Sequence, residues 1–303
     1  MKKKIFLALL SIFPLCVSCK NQHQSVSQKI GSSAYEYTKK IISYGPRPPA
    51  SQAHLRVQEW IEEKGKEFGL VIKKYPFEAS TPIGNVAMTN LSFVVPGAKG
   101  LDRVMFVAHY ESKTFDSIRF VGANDAASSV ALLLALIPIF QKSAFDFDVE
   151  IALMDGEEAY HKFDESDGFY GSKRYAKQSL LGKPIRAVIG VDMIGDKDLQ
   201  LIKAAGIDLS LLDRLRKVLR DMKKEDLLSD RWMGVADDHS PFVELNLPVL
   251  HLMDFTFGGK VPPGTLWHTE KDTIENISQE SLSTVAEVII RLLEDLDKST
   301  KRE

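Results

Sequence analysis

Six short segments of this 303-residue chain concentrate the side chains best suited to chemistry: His109-Tyr110-Glu111-Ser112-Lys113, Val121-Gly122-Ala123-Asn124-Asp125, Asp155-Gly156-Glu157-Glu158-Ala159, Val191-Asp192-Met193-Ile194-Gly195, Asp237-Asp238-His239-Ser240-Pro241-Phe242 and Trp267-His268-Thr269. All carry His, Asp or Glu. Three such ligands hold Zn²⁺ with one coordination position left open, the arrangement a catalytic zinc requires. A carboxylate standing next to a ligand is placed to carry a proton to and from whatever occupies that open position. A lone acid at the end of a strand is more often a helix cap or a surface charge, so the argument rests on the set. Other chemistries lack their signatures: the chain has no Gly-rich phosphate loop, no G-x-S-x-G elbow, no H-E-x-x-H helix and no C-x-x-C pair.

These residues need a scaffold, and the apolar pattern supplies one. Val71 to Phe77, Ala87 to Val95, Arg103 to Ala108, Asp148 to Met154, Arg186 to Val191 and Pro248 to Leu252 read as strands. Between or beyond them, Ala126 to Gln141, Ser172 to Ser179, Leu209 to Met222 and Ser278 to Leu296 read as helices. Two earlier helices are expected, Ala34 to Tyr44 and another from Ser51 with Val57, Trp60, Ile61 and Phe68 on one face. Alternating strands and helices predict an α/β fold, a three-layer α/β/α sandwich around a mostly parallel mixed sheet. In such a sheet function sits past the carboxyl ends of strands. His109, Glu157, Glu158 and Asp192 fall there, and Asp125 falls in a loop before a helix.

Composition sets the class. With 44% hydrophobic and 26% charged residues and a net charge of -2, the chain suits one soluble globular domain and offers no broad basic surface for nucleic acid. Its beginning departs from that average: Lys2, Lys3 and Lys4 precede an apolar run from Ile5 to Val17 that ends at Ser18-Cys19. Residues 1–19 read as a lipoprotein signal peptide, with Cys19 as the lipidated residue although Cys16 replaces the usual Leu three positions upstream; a plain signal peptide with an incidental cysteine is the alternative. The expected organisation is then a polar tether over 20–31 and a catalytic domain over 32–303. The expected location is the bacterial cell envelope, on its periplasmic or surface face.

Taken in order, the six segments resemble the motif series of the M28 zinc metallopeptidase superfamily. Ser80-Thr81-Pro82-Ile83-Gly84, Asn90-Leu91-Ser92, Phe120-Val121-Gly122-Ala123, Pro248-Val249-Leu250-His251-Leu252 and Trp267 before His268 look like its animal glutaminyl cyclase branch. The resemblance, running from about Ser43 to the C-terminus, implies zinc ligands Asp125, Glu158 and His268. It makes His109 and Asp192 the ligands of a second zinc in aminopeptidases, positions that cyclases also keep. It implies a network of Asp192 and Asp237 beside the general base Glu157, and a pocket walled by Trp267 and Phe163. Two departures stand out. Glu111 replaces the usual Asp behind His109, which weakens a second-metal site, and Phe163 falls where the animal cyclases have a tryptophan.

The resemblance therefore implies a zinc-dependent glutaminyl-peptide cyclotransferase with one zinc, acting on peptide or protein N-termini. The alternative is an M28 aminopeptidase with two zinc ions, and a third reading is a non-catalytic binding module that kept the fold. His109, Glu111 and His251 are second-metal or supporting positions, and His239 is structural. His23, His54 and His161 are expected to face solvent, Trp60 and Trp232 to serve core or rim packing or to contact substrate, and Lys113 to be solvated, with positioning of a substrate as its alternative.

Overall fold

The computed structural model describes residues 15–300, and side chains over 23–298. The signal-peptide reading of residues 1–14 and the side chain of Cys19 lie outside the described residues. Six strands form the main sheet: β1 (Lys73–Thr81), β2 (Gly84–Val95), β3 (Arg103–His109), β4 (Asp148–Met154), β5 (Ile185–Asp192) and β8 (Val249–Met253), in the order β1-β2-β4-β3-β5-β8. β1, β2 and β4 pair antiparallel, whereas β4, β3, β5 and β8 run parallel. The expected mixed, mostly parallel sheet is present.

The two faces of that sheet follow the period of two along each strand. Val104, Phe106 and Ala108 of β3, Ile151 and Leu153 of β4, and Ile189 and Val191 of β5 enter one core with α1 (Leu15–Ser43), α2 (Gln52–Glu67), α3 (Ser129–Ser143), α5 (Leu209–Met222) and α7 (Gln279–Thr300). Met105, Val107, Ala152, Met154 and Val188 face the other way, against Tyr175 and Ala176 of α4 (Tyr170–Ser179) and Phe242 of α6 (Ser240–Glu244). Strands buried on both faces are mainly apolar, which is why β3 reads as a hydrophobic run from Val104 to Ala108, while β4 admits the buried Glu150, which accepts from Ser92 Oγ at 2.9 Å. The apolar stretch Ala123–Ser143, long enough by composition to cross a membrane, has 89% of its most apolar 18-residue window buried inside the fold.

Several elements differ from the sequence expectation. Residues 23–31 are not a polar tether: α1 continues through them, with Ile30 buried and Val26 packed against the same core. The cause is a sparse stripe, Val26, Ile30 and Ala34 at helical spacing, hidden in a polar average. Regular helix begins at Ser129 instead of Ala126, because residues 123–128 make an irregular turn in which Asn124 and Asp125 donate their backbone N–H groups to the Asp272 carboxylate at 2.7 and 3.2 Å. Ser51 does cap α2, accepting from His54 N at 3.1 Å. A separate pair of parallel strands, β6 (Leu201–Ala204) and β7 (Leu228–Met233), has no counterpart in the apolar pattern.

Candidate active site

β3 has β4 on one side and β5 on the other, so the chain's direction of winding reverses there and a crevice opens at the strands' carboxyl ends. His109 ends β3, Asp155 to Glu158 follow β4, and Asp192 ends β5. Into this crevice the turn before α3 brings Asp125, and the segment after β8 brings Trp267 and His268. Asp125, Glu157, Glu158, Asp192, Asp237 and His268 line one cavity of about 300 Å³, with Phe163 and Trp267 on its wall.

Within it, Asp125, Glu158 and His268 each present a ligand atom within 4.8 Å of the others. His268 Nε2 lies 3.2 Å from Asp125 Oδ2 and 3.0 Å from Glu158 Oε1. Ligands about 2.0–2.1 Å from a tetrahedral zinc stand about 3.3 Å apart, so this donor set fits the ion. Burial supports the fit, since Asp125 and Glu158 are 3% and 6% exposed and an ion between them would add to the positive charge that His109, His268 and Lys113 offer. His109 Nε2 approaches Asp125 Oδ1 at 3.2 Å and Asp192 Oδ1 at 3.7 Å, forming a second grouping that shares Asp125.

Electrostatics separates the acids. Burial raises the Glu157 carboxyl well above the usual range, opposed by His109 and reinforced by the charges of Glu158, Asp237 and Asp238. Asp192 is pushed up to about 7 by burial and by its acidic neighbours Asp237 and Asp125, against the bond to His109. For Asp237 burial acts upward too, but the His251 bond and charge win and hold it at about 2. Asp192 therefore takes up a proton far more readily than Asp237. The expected hydrogen-bonded network of Glu157, Asp192 and Asp237 is not formed among the described residues. These groups meet through charge across the cavity, and Asp237 bonds His251 Nε2 at 2.6 Å instead.

Packing orients the rest. His251 stacks on His239 at 4.0 Å, and a Cβ on Gly190 would come within 2.8 Å of the His251 ring, so glycine is required where β5 passes them. His268 takes the left-handed φ of 54° and is held by Trp267 stacked at 3.7 Å and by the edges of Phe115 and Phe120 at 5.6 and 5.7 Å. Glu111 lies 3.5 Å from His109 Nδ1 without a hydrogen bond. Its Oε1 accepts the backbone N–H groups of Glu157 and Glu158 at 2.6 and 3.3 Å, so one oxygen of the longer acid braces the loop carrying both glutamates while Oε2 has no hydrogen-bond partner.

Two expectations are corrected. Lys113 is not solvated: its Nζ contacts Glu158 Oε2 at 3.2 Å and Ala159 O at 2.6 Å, because the loop folds back over it. His54 does not face solvent. It is 1% exposed, stacked on Tyr110 and 3.0 Å from Asp155 Oδ1, since Asp155 turns away from the cavity into the protein. His161 is exposed and His23 partly so, Trp60 is in the core, and half-exposed Trp232 is not. Phe115, Asp272 and the fully buried Arg47, which donates to Tyr110 O at 2.8 Å and Gly122 O at 3.1 Å, escaped the sequence reading, and Phe120 entered it only as part of a motif. Asp272, four residues past His268, was the one with a usable signal.

The chain is 27% identical over 276 residues to a glutaminyl-peptide cyclotransferase-like protein of Mus musculus, covering 80% of this chain and 70% of that one. A glutaminyl cyclase of an Acidobacteriales bacterium superposes with a TM-score of 0.83 at 28% identity, covering 89% and 96%. A leucine aminopeptidase precursor of Bacteroides thetaiotaomicron shares the fold, with a TM-score of 0.77 at 20% identity over 87% and 96%. The sequence profile of peptidase family M28 matches residues 90–293, a span holding every residue that lines the cavity. Because that match takes in most of the chain and its whole candidate site, the chain belongs to peptidase family M28.

Proposed function

We infer that the chain is a zinc-dependent glutaminyl-peptide cyclotransferase, which converts an N-terminal glutamine to pyroglutamate and releases ammonia. The observation carrying this reading is the small cavity in which Glu157 stands beside the Asp125, Glu158 and His268 grouping, with Trp267 and Phe163 as walls suited to one glutamine side chain. Zinc held by those three residues would supply Lewis-acid polarisation of the side-chain carbonyl. Glu157 accepts the proton that the α-amine loses as its nitrogen bonds to the amide carbon. It returns that proton to the amide nitrogen, which departs as ammonia when the old carbon–nitrogen bond breaks. Asp192 and Asp237 hold the charge that changes on Glu157.

The second reading, an aminopeptidase, is favoured by the His109, Asp125 and Asp192 grouping, which has the donor set for another cation. Against it stands Glu111, committed to backbone N–H groups and unbonded to His109. Incubating the protein with a Gln-initiated peptide separates the two: ammonia with a pyroglutamyl peptide supports the cyclase, and free glutamine contradicts it. Export with a lipid on Cys19 is proposed from the leader alone. Cys19→Ser should move the protein from membrane to soluble fractions, and unchanged fractionation would refute the anchor.

A further inference from the structure

The cavity of about 300 Å³ around Glu157 accommodates little beyond one residue, so the rest of a peptide substrate has to leave it. A second cavity of about 560 Å³ abuts it, and both are lined by Phe163 and Ala236. Its floor is apolar, from Phe169, Ala176, Pro241 and Leu245. Its walls carry charge unevenly. The Lys173 ammonium is taken by the backbone carbonyls of Glu165 and Gly168 at 2.9 and 3.1 Å, and Asp164 accepts from Ser166 at 2.8 Å. The lining thus carries three acids, Asp164, Glu165 and Glu244, against two bases, Lys173 and Lys177, whose charge neutral carbonyls do not cancel; Asp164 has Lys162 at 3.9 Å, while among the described residues Glu165 and Glu244 have no ion-pair or hydrogen-bonded side-chain partner.

We propose that this groove binds the residues downstream of the N-terminal glutamine and favours a basic side chain there. The inference rests on the reading of the adjoining cavity as a cyclase site. The peptide passes over Phe163, whose ring stacks on Phe169 at 5.0 Å and so forms a continuous apolar step between the two cavities. Downstream backbone lies on the apolar floor, and a lysine or arginine two residues past the glutamine faces Glu244 and Glu165. Exposed pairing of this kind is screened, so its effect is modest.

The test compares kcat/KM for Gln-Gly, Gln-Gly-Gly-Gly, Gln-Gly-Lys-Gly and Gln-Gly-Glu-Gly, in wild type and Glu244→Lys. Tetrapeptides should exceed the dipeptide through a lower KM, and Lys should exceed Glu at the third position by about threefold, the worth of an exposed charge pair. Glu244→Lys should invert that order while leaving Gln-Gly unchanged. Equal values for all four peptides, or a Glu244→Lys effect equally large on Gln-Gly, would overturn the groove. Absence of turnover on every peptide, Gln-Gly included, would instead refute the cyclase reading.

Discussion

Two clusters of buried histidine and carboxylate lie within this fold, and they are built in opposite ways. In one, His54, Asp155, Tyr110 and Gln58 close on themselves: Asp155 takes His54 Nε2 and Thr89 N, and Tyr110 OH accepts from Gln58 at 2.8 Å and donates to Thr89 O at 2.6 Å. In the other, around Asp125, Glu158 and His268, donor atoms converge on a gap. Unpartnered buried atoms gather nearby, among them His109 Nδ1, Glu111 Oε2, both Asp238 oxygens and the Nδ1 atoms of His239 and His251. The same residue types are saturated in one place and held in reserve in the other. A buried polar group left without a partner costs stability and persists where function uses it, so the unsaturated cluster is where chemistry is to be sought.

The widest separation between the clusters should appear on losing a ligand. Glu158→Gln is expected to lose zinc and turnover together, by elemental analysis and assay, while retaining the fold. Glu157→Gln should keep its zinc yet lose about two to four orders of magnitude in kcat, the usual worth of a general acid-base group. Near-normal turnover in Glu157→Gln would remove that residue from the mechanism.

Breaking the saturated cluster should do the reverse. His54→Ala strands the buried Asp155 carboxylate and should cost about 3 kcal/mol of stability in denaturant unfolding, with zinc content retained. A variant of unchanged stability that had lost zinc would erase the distinction between the two clusters.

The smallest effect concerns pH. His239 is held down to about 3 by burial and by the neighbouring His251, against the pull of Asp237. Its folded value lies below its unfolded one, so the unfolded chain binds more protons between them. Stability is therefore full above about pH 6.5 and falls as pH drops toward 3, by about 2 kcal/mol at pH 5. His239→Gln should flatten that loss in acid unfolding curves, and an unaltered acid limb would show that His239 does not cause it.

The contrast also explains what was legible in the sequence. β3, β4 and β5 were visible because strands covered on both faces are mainly apolar, Glu150 of β4 being an exception, and the residues following them inherit a position at the sheet's carboxyl edge. Phe163 and Trp267 were placed by resemblance, and both line the cavity. The saturated cluster was illegible, because nothing in a lone His54 on α2 tells that Asp155, 101 positions later, turns toward it. Lys113 misled for the same reason: a lysine in a polar loop reads as solvated until the loop carrying Ala159 closes over it. The start of α1 was lost to averaging, since Val26 and Ile30 are too few to mark a helix among Gln and Ser. β6 and β7 are short, and their residues match no periodic template long enough to register.

The central claim is that a cation in the unsaturated cluster makes this chain a cyclase. Its most direct test removes metal with a chelator, restores zinc stepwise, and follows ammonia and pyroglutamyl product from a Gln-initiated peptide. The account predicts an inactive metal-free protein whose cyclisation rises and levels off at one zinc per chain. Full cyclisation without zinc, or activity that appears only with a second zinc and releases free glutamine, would contradict it.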